Sequence, residues 1–155
     1  MHRVLFVCLG NICRSPTAHG VFRQAVIDAD LQDRFEIESA GTGDWHLGKA
    51  PDPRAQAQAA ARGIDISDLR ARAVFPEDFD DYDHILAMDA QNLADLKAMQ
   101  PVGSRAKVSL FLDHLSGHEG ESVPDPYYGG EEGFQTVYAL VEATTESLLK
   151  QWGKA

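Results

Sequence analysis

Residues 3–16 read RVLFVCLGNICRSP. The first six are a β-branched and aromatic run that predicts a buried strand, and Leu9-Gly10-Asn11 is a turn signal that stops it. Ser15 stands where a helix cap belongs, with Pro16 at the first helical position. Ala18, Val21, Phe22, Ala25 and Val26 then recur at the spacing of a buried helical face. The order is strand, tight loop, helix, and the strand ends on a thiol.

The same unit returns downstream. RFEIES (34–39) alternates and runs into the glycine-rich AGTGDWHLG (40–48), after which PDPRAQAQAAARG (51–63) reads as a helix begun by proline and stopped by Gly63. HILAM (84–88) predicts a third strand, Ala90 to Met99 a helix, and AKVSLFL (106–112) a fourth strand. PDPYYGGEEG (124–133) then leads into a closing helix with Phe134, Val137, Tyr138, Val141, Leu148 and Trp152 on one side. This alternation predicts an α/β single domain: a four-stranded parallel sheet with helices on both faces, a Rossmann-like three-layer arrangement with its ligand site at the carboxyl ends of the strands.

Composition narrows the function. A chain of 155 residues has room for one sizeable core, and 44% hydrophobic with 25% charged residues is the balance of a folded domain. Fourteen basic against 24 acidic residues give a net charge of −10, which argues against a nucleic-acid surface. The longest apolar run, Val4 to Leu9, is too short for a membrane span or a signal-peptide core, so a soluble cytoplasmic protein is expected. Two cysteines, Cys8 and Cys13, are too few for a disulfide framework or a four-ligand zinc site. The acidic EDFDDYD cluster (77–83) does not have the spacing of a calcium loop and reads as a solvated turn. His114 and His118 stand four apart, but Gly117 interrupts them and no third ligand is apparent, so no metal is expected.

The chemistry is in the first loop. A loop that leaves a strand and enters a helix turns backbone N–H groups inward, and the helix end adds positive potential, so it is an anion site. It has neither the G-x-x-x-x-G-K-[ST] nor the G-x-G-x-x-G pattern of nucleotide sites. It has Cys8 at its mouth instead, whose thiol such a setting should make more acidic, and Arg14, whose planar fork can hold two oxygens of one oxyanion.

These residues resemble a family. Cys8-Leu9-Gly10-Asn11-Ile12-Cys13-Arg14-Ser15 is similar to the C-x5-R-S signature of the low-molecular-weight protein tyrosine phosphatases, and SAGTGDW, PDPRA, MDAQNL and DPYYG stand where that family has similar segments. The resemblance implies a phosphocysteine intermediate on Cys8, with Arg14 and the loop Leu9, Gly10, Asn11, Ile12, Cys13 and Ser15 holding the phosphoryl oxygens. It implies Asp125 as general acid and then general base, and Trp45, Tyr127 and Tyr128 as pocket walls admitting a phosphotyrosine ring. Ser15 would also donate to the Cys8 sulfur. Asn11 and Ser39 match positions that brace the loop, Asp89 is a candidate supporting partner, and Leu69 in LRARAV stands where many relatives have a histidine that completes the brace. Cys13 is a candidate redox partner for Cys8. The expected partners are a phosphotyrosine-containing protein or peptide, and phosphate or other oxyanions in the loop; no cofactor, nucleic acid or membrane is implied. Two rivals stand beside this reading: a thiol-dependent arsenate reductase, whose thioredoxin-coupled form needs cysteines beyond Cys13 that the chain lacks, and a non-catalytic phosphopeptide-binding module.

Overall fold

The structure, a computed structural model, describes residues 1–127 and 129–153. Four parallel strands, β1 (His2–Cys8), β2 (Phe35–Gly41), β3 (His84–Ala87) and β4 (Lys107–Leu110), form one sheet in the order β2-β1-β3-β4. Among the described residues five α-helices accompany them: α1 (Arg14–Asp28), α2 (Pro53–Ala60), the single turn α3 (Asp78–Asp81), α4 (Ala90–Met99) and α5 (Glu131–Trp152).

β1 lies between two neighbours, so both of its edges are paired, and a core packs on each of its faces, leaving Val4 to Val7 wholly buried. Side chains of a strand alternate between faces. Val4, Phe6 and Cys8 therefore join the core shared with α1, α2 and α5, while Leu5 and Val7 join the opposite core with Phe79, Tyr82 and Leu96. Each buried side chain of this size contributes about 1.5–3 kcal/mol. The predicted three-layer architecture is present, and the closing helix buries Phe134, Val137, Tyr138, Val141 and Leu148 as its pattern requires, with Trp152 half-buried.

Three local expectations change. The fourth strand stops at Leu110 because Phe111–His114 turns into a 3-10 helix, which swings Phe111 into the core edge-on to Phe6, with ring centroids 5.8 Å apart. The second helix ends at Ala60, three residues before Gly63, whose φ of 78° closes the turn that follows. The acidic cluster is not simply solvated: Asp78 and Phe79 are buried, and Asp78 accepts hydrogen bonds from Arg72 Nη1 (3.0 Å) and the Phe75 N–H (2.7 Å).

The chain runs from β1 to β2 on one side and from β2 across to β3 on the other. This leaves a crevice where the two paths part, at the carboxyl ends of β1 and β3. The loops after β1, β3 and β4 meet there. No described helix is long and apolar enough to cross a membrane.

Candidate active site

Residues 8–14 connect β1 to α1 and wrap into a cup. Asn11 takes a left-handed φ of 57°, a conformation Asn tolerates better than most residues, and this bend lets its backbone N–H donate to Cys8 Sγ at 3.3 Å. Asn11 also fixes the cup from outside: its Oδ1 accepts from the Arg72 N–H (2.9 Å) and its Nδ2 donates to Ser15 Oγ (2.7 Å). The Thr42, Gly43 and Asp52 amides donate to the carbonyls of Cys8, Leu9 and Ile12. Gly41 is required here, since a Cβ on it would stand 2.7 Å from the Leu9 carbonyl oxygen.

Ser15 does not cap α1. The helix begins at Arg14, Cys13 occupies the cap position, and no side chain satisfies the helix end. Pro16 is the third helical residue, still within the first turn where no N–H is needed. Ser15 Oγ instead lies 3.0 Å from Cys8 Sγ. Asn11 Nδ2 donates to that oxygen, and the serine hydroxyl has two acceptors within reach, Cys8 Sγ and, at 3.5 Å, the Ala40 carbonyl.

Arg14 is buried, and its guanidinium is aimed by groups from two other loops. Nη1 donates to Asp89 Oδ2 (2.7 Å) and to the Val123 carbonyl (3.0 Å), while Nη2 lies 3.7 Å from Asp125 Oδ2. Burial alone would lower the pKa of the cation, but the neighbouring Cys8, Asp89 and Asp125 outweigh it and hold the pKa above its ordinary value. The other oxygen of Asp89, Oδ1, accepts from the Asn92 N–H and caps α4. Arg14 is thereby fixed to the end of a rigid element.

Asp125 faces the cup from the far side. Its Oδ1 accepts from the Tyr127 N–H (3.0 Å), an Asx turn that leaves Oδ2 toward Arg14. Cys8, Leu9, Gly10, Ile12, Cys13, Arg14, Trp45, His46, Asp125 and Tyr127 line one pocket of about 350 Å³. Trp45 is 66% exposed and Tyr127 37%, so both stand at the rim rather than in the core. Tyr128 lies outside the described residues. His46 joins them without a signal in the sequence to single it out; its ring packs on Gly10, where a Cβ would meet it at 2.8 Å, and lies 6.1 Å from the Tyr127 ring.

The two thiols are free and both are buried. Burial, with Asp52 and Cys8 adding to it, pushes the Cys13 thiol well above its ordinary pKa. Among the described residues no group of three His, Cys, Asp or Glu side chains is arranged to hold a metal ion. His114 Nε2 pairs with Ser109 Oγ, and His118 Nδ1 with Glu121.

Among the described residues Ser39 makes no hydrogen bond to the cup. Its hydroxyl pairs with His19 Nδ1 at 3.0 Å, and Leu69 is packed in the core with no polar role. A histidine is thus present beside β2, but it arrives from α1. Burial, reinforced by Arg23 and opposed by Asp68, lowers the His19 pKa from 6.5 to about 4. Above pH 6.5 the ring is neutral in both folded and unfolded chains; below it the unfolded chain takes the proton first, and the folded chain only near pH 4. Stability is therefore lost as pH falls from 6.5 to 4, by about 3 kcal/mol for this group. Urea unfolding at a series of pH values should show this loss in the wild type. His19→Gln should have a flatter profile across that window, and an unchanged slope would remove His19 as its source.

A sequence model of the family described as low molecular weight phosphotyrosine protein phosphatase matches residues 3–155. The low molecular weight phosphotyrosine protein phosphatase of Schizosaccharomyces pombe is 47% identical over 96% of this chain and 95% of its own. The low molecular weight protein-tyrosine-phosphatase YfkJ of Bacillus subtilis is 40% identical over 96% of this chain and 94% of its own. A crystal structure of a protein tyrosine phosphatase from Entamoeba histolytica, with HEPES in its active site, superposes with a TM-score of 0.91 at 36% identity, covering 97% of this chain and 96% of that one.

Proposed function

Because the chain belongs to the low molecular weight phosphotyrosine protein phosphatase family, we propose that it hydrolyses phosphotyrosine in proteins, and small aryl phosphates, through a phosphocysteine formed on Cys8. The observation that carries this reading is convergence. A cysteine sulfur, a buried guanidinium and a carboxylate from a separate loop line one pocket, with Asp125 3.7 Å from Arg14.

In the first step Cys8 Sγ attacks phosphorus as the bond to the tyrosyl oxygen breaks, and Asp125 gives its proton to the departing phenolate. Arg14 and the other N–H groups of the loop hold the equatorial oxygens throughout, the Asn11 N–H being turned to sulfur. In the second step water attacks phosphorus, Asp125 takes a proton from that water, and inorganic phosphate leaves as the S–P bond breaks. Ser15 and the Asn11 N–H receive the charge returning to sulfur. Trp45 and Tyr127 at the rim set a depth that suits an aryl ester, whose phosphorus then reaches sulfur, over a short seryl ester.

Family membership favours hydrolysis over arsenate reduction or simple phosphopeptide binding. The deciding assay is turnover of a phosphotyrosyl peptide by the reduced protein in the presence of a chelator. Phosphate release is expected, and tight binding without release would support the non-catalytic module.

Cys13 supplies a resolving thiol in the same reading. A sulfenic acid on Cys8, formed by peroxide, would be attacked by Cys13 sulfur to give a disulfide and water. Since burial keeps Cys13 protonated, this capture should be slow at neutral pH. After peroxide treatment mass spectrometry should show a Cys8–Cys13 linkage; over-oxidised Cys8 without it would exclude the role.

A further inference from the structure

Asp125 sits in a turn whose residues Pro124, Asp125, Tyr127 and Gly129 are exposed, yet its carboxylate must stay over the cup for the proposed reaction. Arg54, at the start of α2, reaches across to this turn: Nη2 donates to the Tyr127 carbonyl (3.0 Å) and Nη1 to the Gly129 carbonyl (3.2 Å). Its guanidinium also lies over the rings of Tyr127 (5.7 Å) and of Phe134 in the first turn of α5 (4.5 Å). The Tyr127 whose carbonyl Arg54 holds is the residue whose N–H binds Asp125 Oδ1.

The other end of the connection is the phosphate loop. Asp52 accepts from Arg54 Nε (3.1 Å) and Nη2 (3.0 Å), and its own backbone N–H donates to the Ile12 carbonyl (2.8 Å). Asp52 is buried, and it caps α2 by accepting from the Arg54 N–H. A continuous path therefore runs from Ile12 through Asp52, Arg54 and Tyr127 to Asp125, and each link is a hydrogen bond. The planar fork matters, because one guanidinium meets a carboxylate and two carbonyls together, which an ammonium on a flexible stem does not.

We propose that Arg54, anchored by Asp52, is a positioning residue that registers the Asp125 turn against the Cys8 loop, so that the proton donor and the nucleophile address the same phosphorus. This rests on the reading of Asp125 as general acid. Arg54 touches neither the substrate nor the reacting atoms, and its effect should emerge where proton donation matters.

The test compares kcat/KM for phenyl phosphate, whose leaving group is a weak acid, with that for 4-nitrophenyl phosphate, whose leaving group departs readily without a proton. Wild type, Arg54→Gln, Asp125→Ala and the double variant are measured, with thermal melting of each. Arg54→Gln is expected to lose about 10-fold on phenyl phosphate and less than about 3-fold on 4-nitrophenyl phosphate. The double variant should fall no further than Asp125→Ala, and Arg54→Lys should lie between wild type and Arg54→Gln. An equal loss on both substrates, no loss, or additivity in the double variant would overturn the positioning role while leaving Asp125 as the acid. If Asp125→Ala itself fails to discriminate between the two substrates, the general-acid reading falls, and the positioning role with it. Should Arg54→Gln melt far below the wild type, Asp52→Asn, which keeps the α2 cap and loses the charge that anchors Arg54, must reproduce the selective loss for the proposal to stand.

Discussion

Replacing Cys8 with serine is expected to abolish turnover, lowering kcat on 4-nitrophenyl phosphate by more than about 10,000-fold, while inorganic phosphate still binds. The expectation follows from where the sulfur sits. Cys8 ends the central strand with its side chain buried, Ser15 and the Asn11 N–H converge on it, and Arg14 is fixed independently by Asp89 and Val123. Serine leaves the anion-holding groups in place and removes the one atom able to form and release a bond to phosphorus at neutral pH, because a hydroxyl is far less acidic than a thiol. Initial rates and equilibrium phosphate binding on the same preparation check both halves. A residual rate within about tenfold of wild type would mean that water attacks phosphorus directly.

Asp125→Ala should lower kcat/KM on phenyl phosphate by about 100- to 1,000-fold, within what a positioned proton donor supplies. Departure of an unprotonated phenolate, whose parent acid has a pKa of about 10, is the reason. The pocket itself should survive the change, since Arg14 keeps its bonds to Asp89 and Val123 when Asp125 is gone. Loss of phosphate binding in this variant would show that Asp125 organises the cup instead of donating to the leaving group. Unchanged kcat/KM would move the proton donor elsewhere.

What the chain announces in its sequence is mostly what is settled over short distances. β1, its loop and α1 are legible because a β-branched and aromatic run, an Asn able to bend left-handed and a helix start lie within a few residues of each other. Ser15 misleads for a physical reason: one hydroxyl has two satisfactory uses, and only the folded cup, which brings Asn11 Nδ2 to it, decides for sulfur over the cap. The fourth strand is shorter than its apolar run because Phe111 and Leu112 are as apolar as the residues before them, and the 3-10 turn that redirects them answers to the position of Phe6.

The less legible parts are the contacts between distant segments. Arg54 looks like one more charge at a helix start, and its partners Tyr127 and Gly129 are separated from it by 73 and 75 residues. His46 is hidden by the tryptophan beside it. Nothing local tells that His19, buried on a helix face, supplies a ring to Ser39. Asp89 can be suspected from its neighbours, and the fold makes it both a helix cap and the partner of Arg14.

A fifteen-residue helix whose first turn receives no side-chain cap, as in α1, is an unfinished element, and in the proposed cycle the oxyanion completes it. Substrate, phosphocysteine and released phosphate would each act in turn as a removable part of the secondary structure. In that cycle the protein at rest would be the least stable member, and free phosphate, if it binds only the folded chain, would shift the folding equilibrium toward the native state.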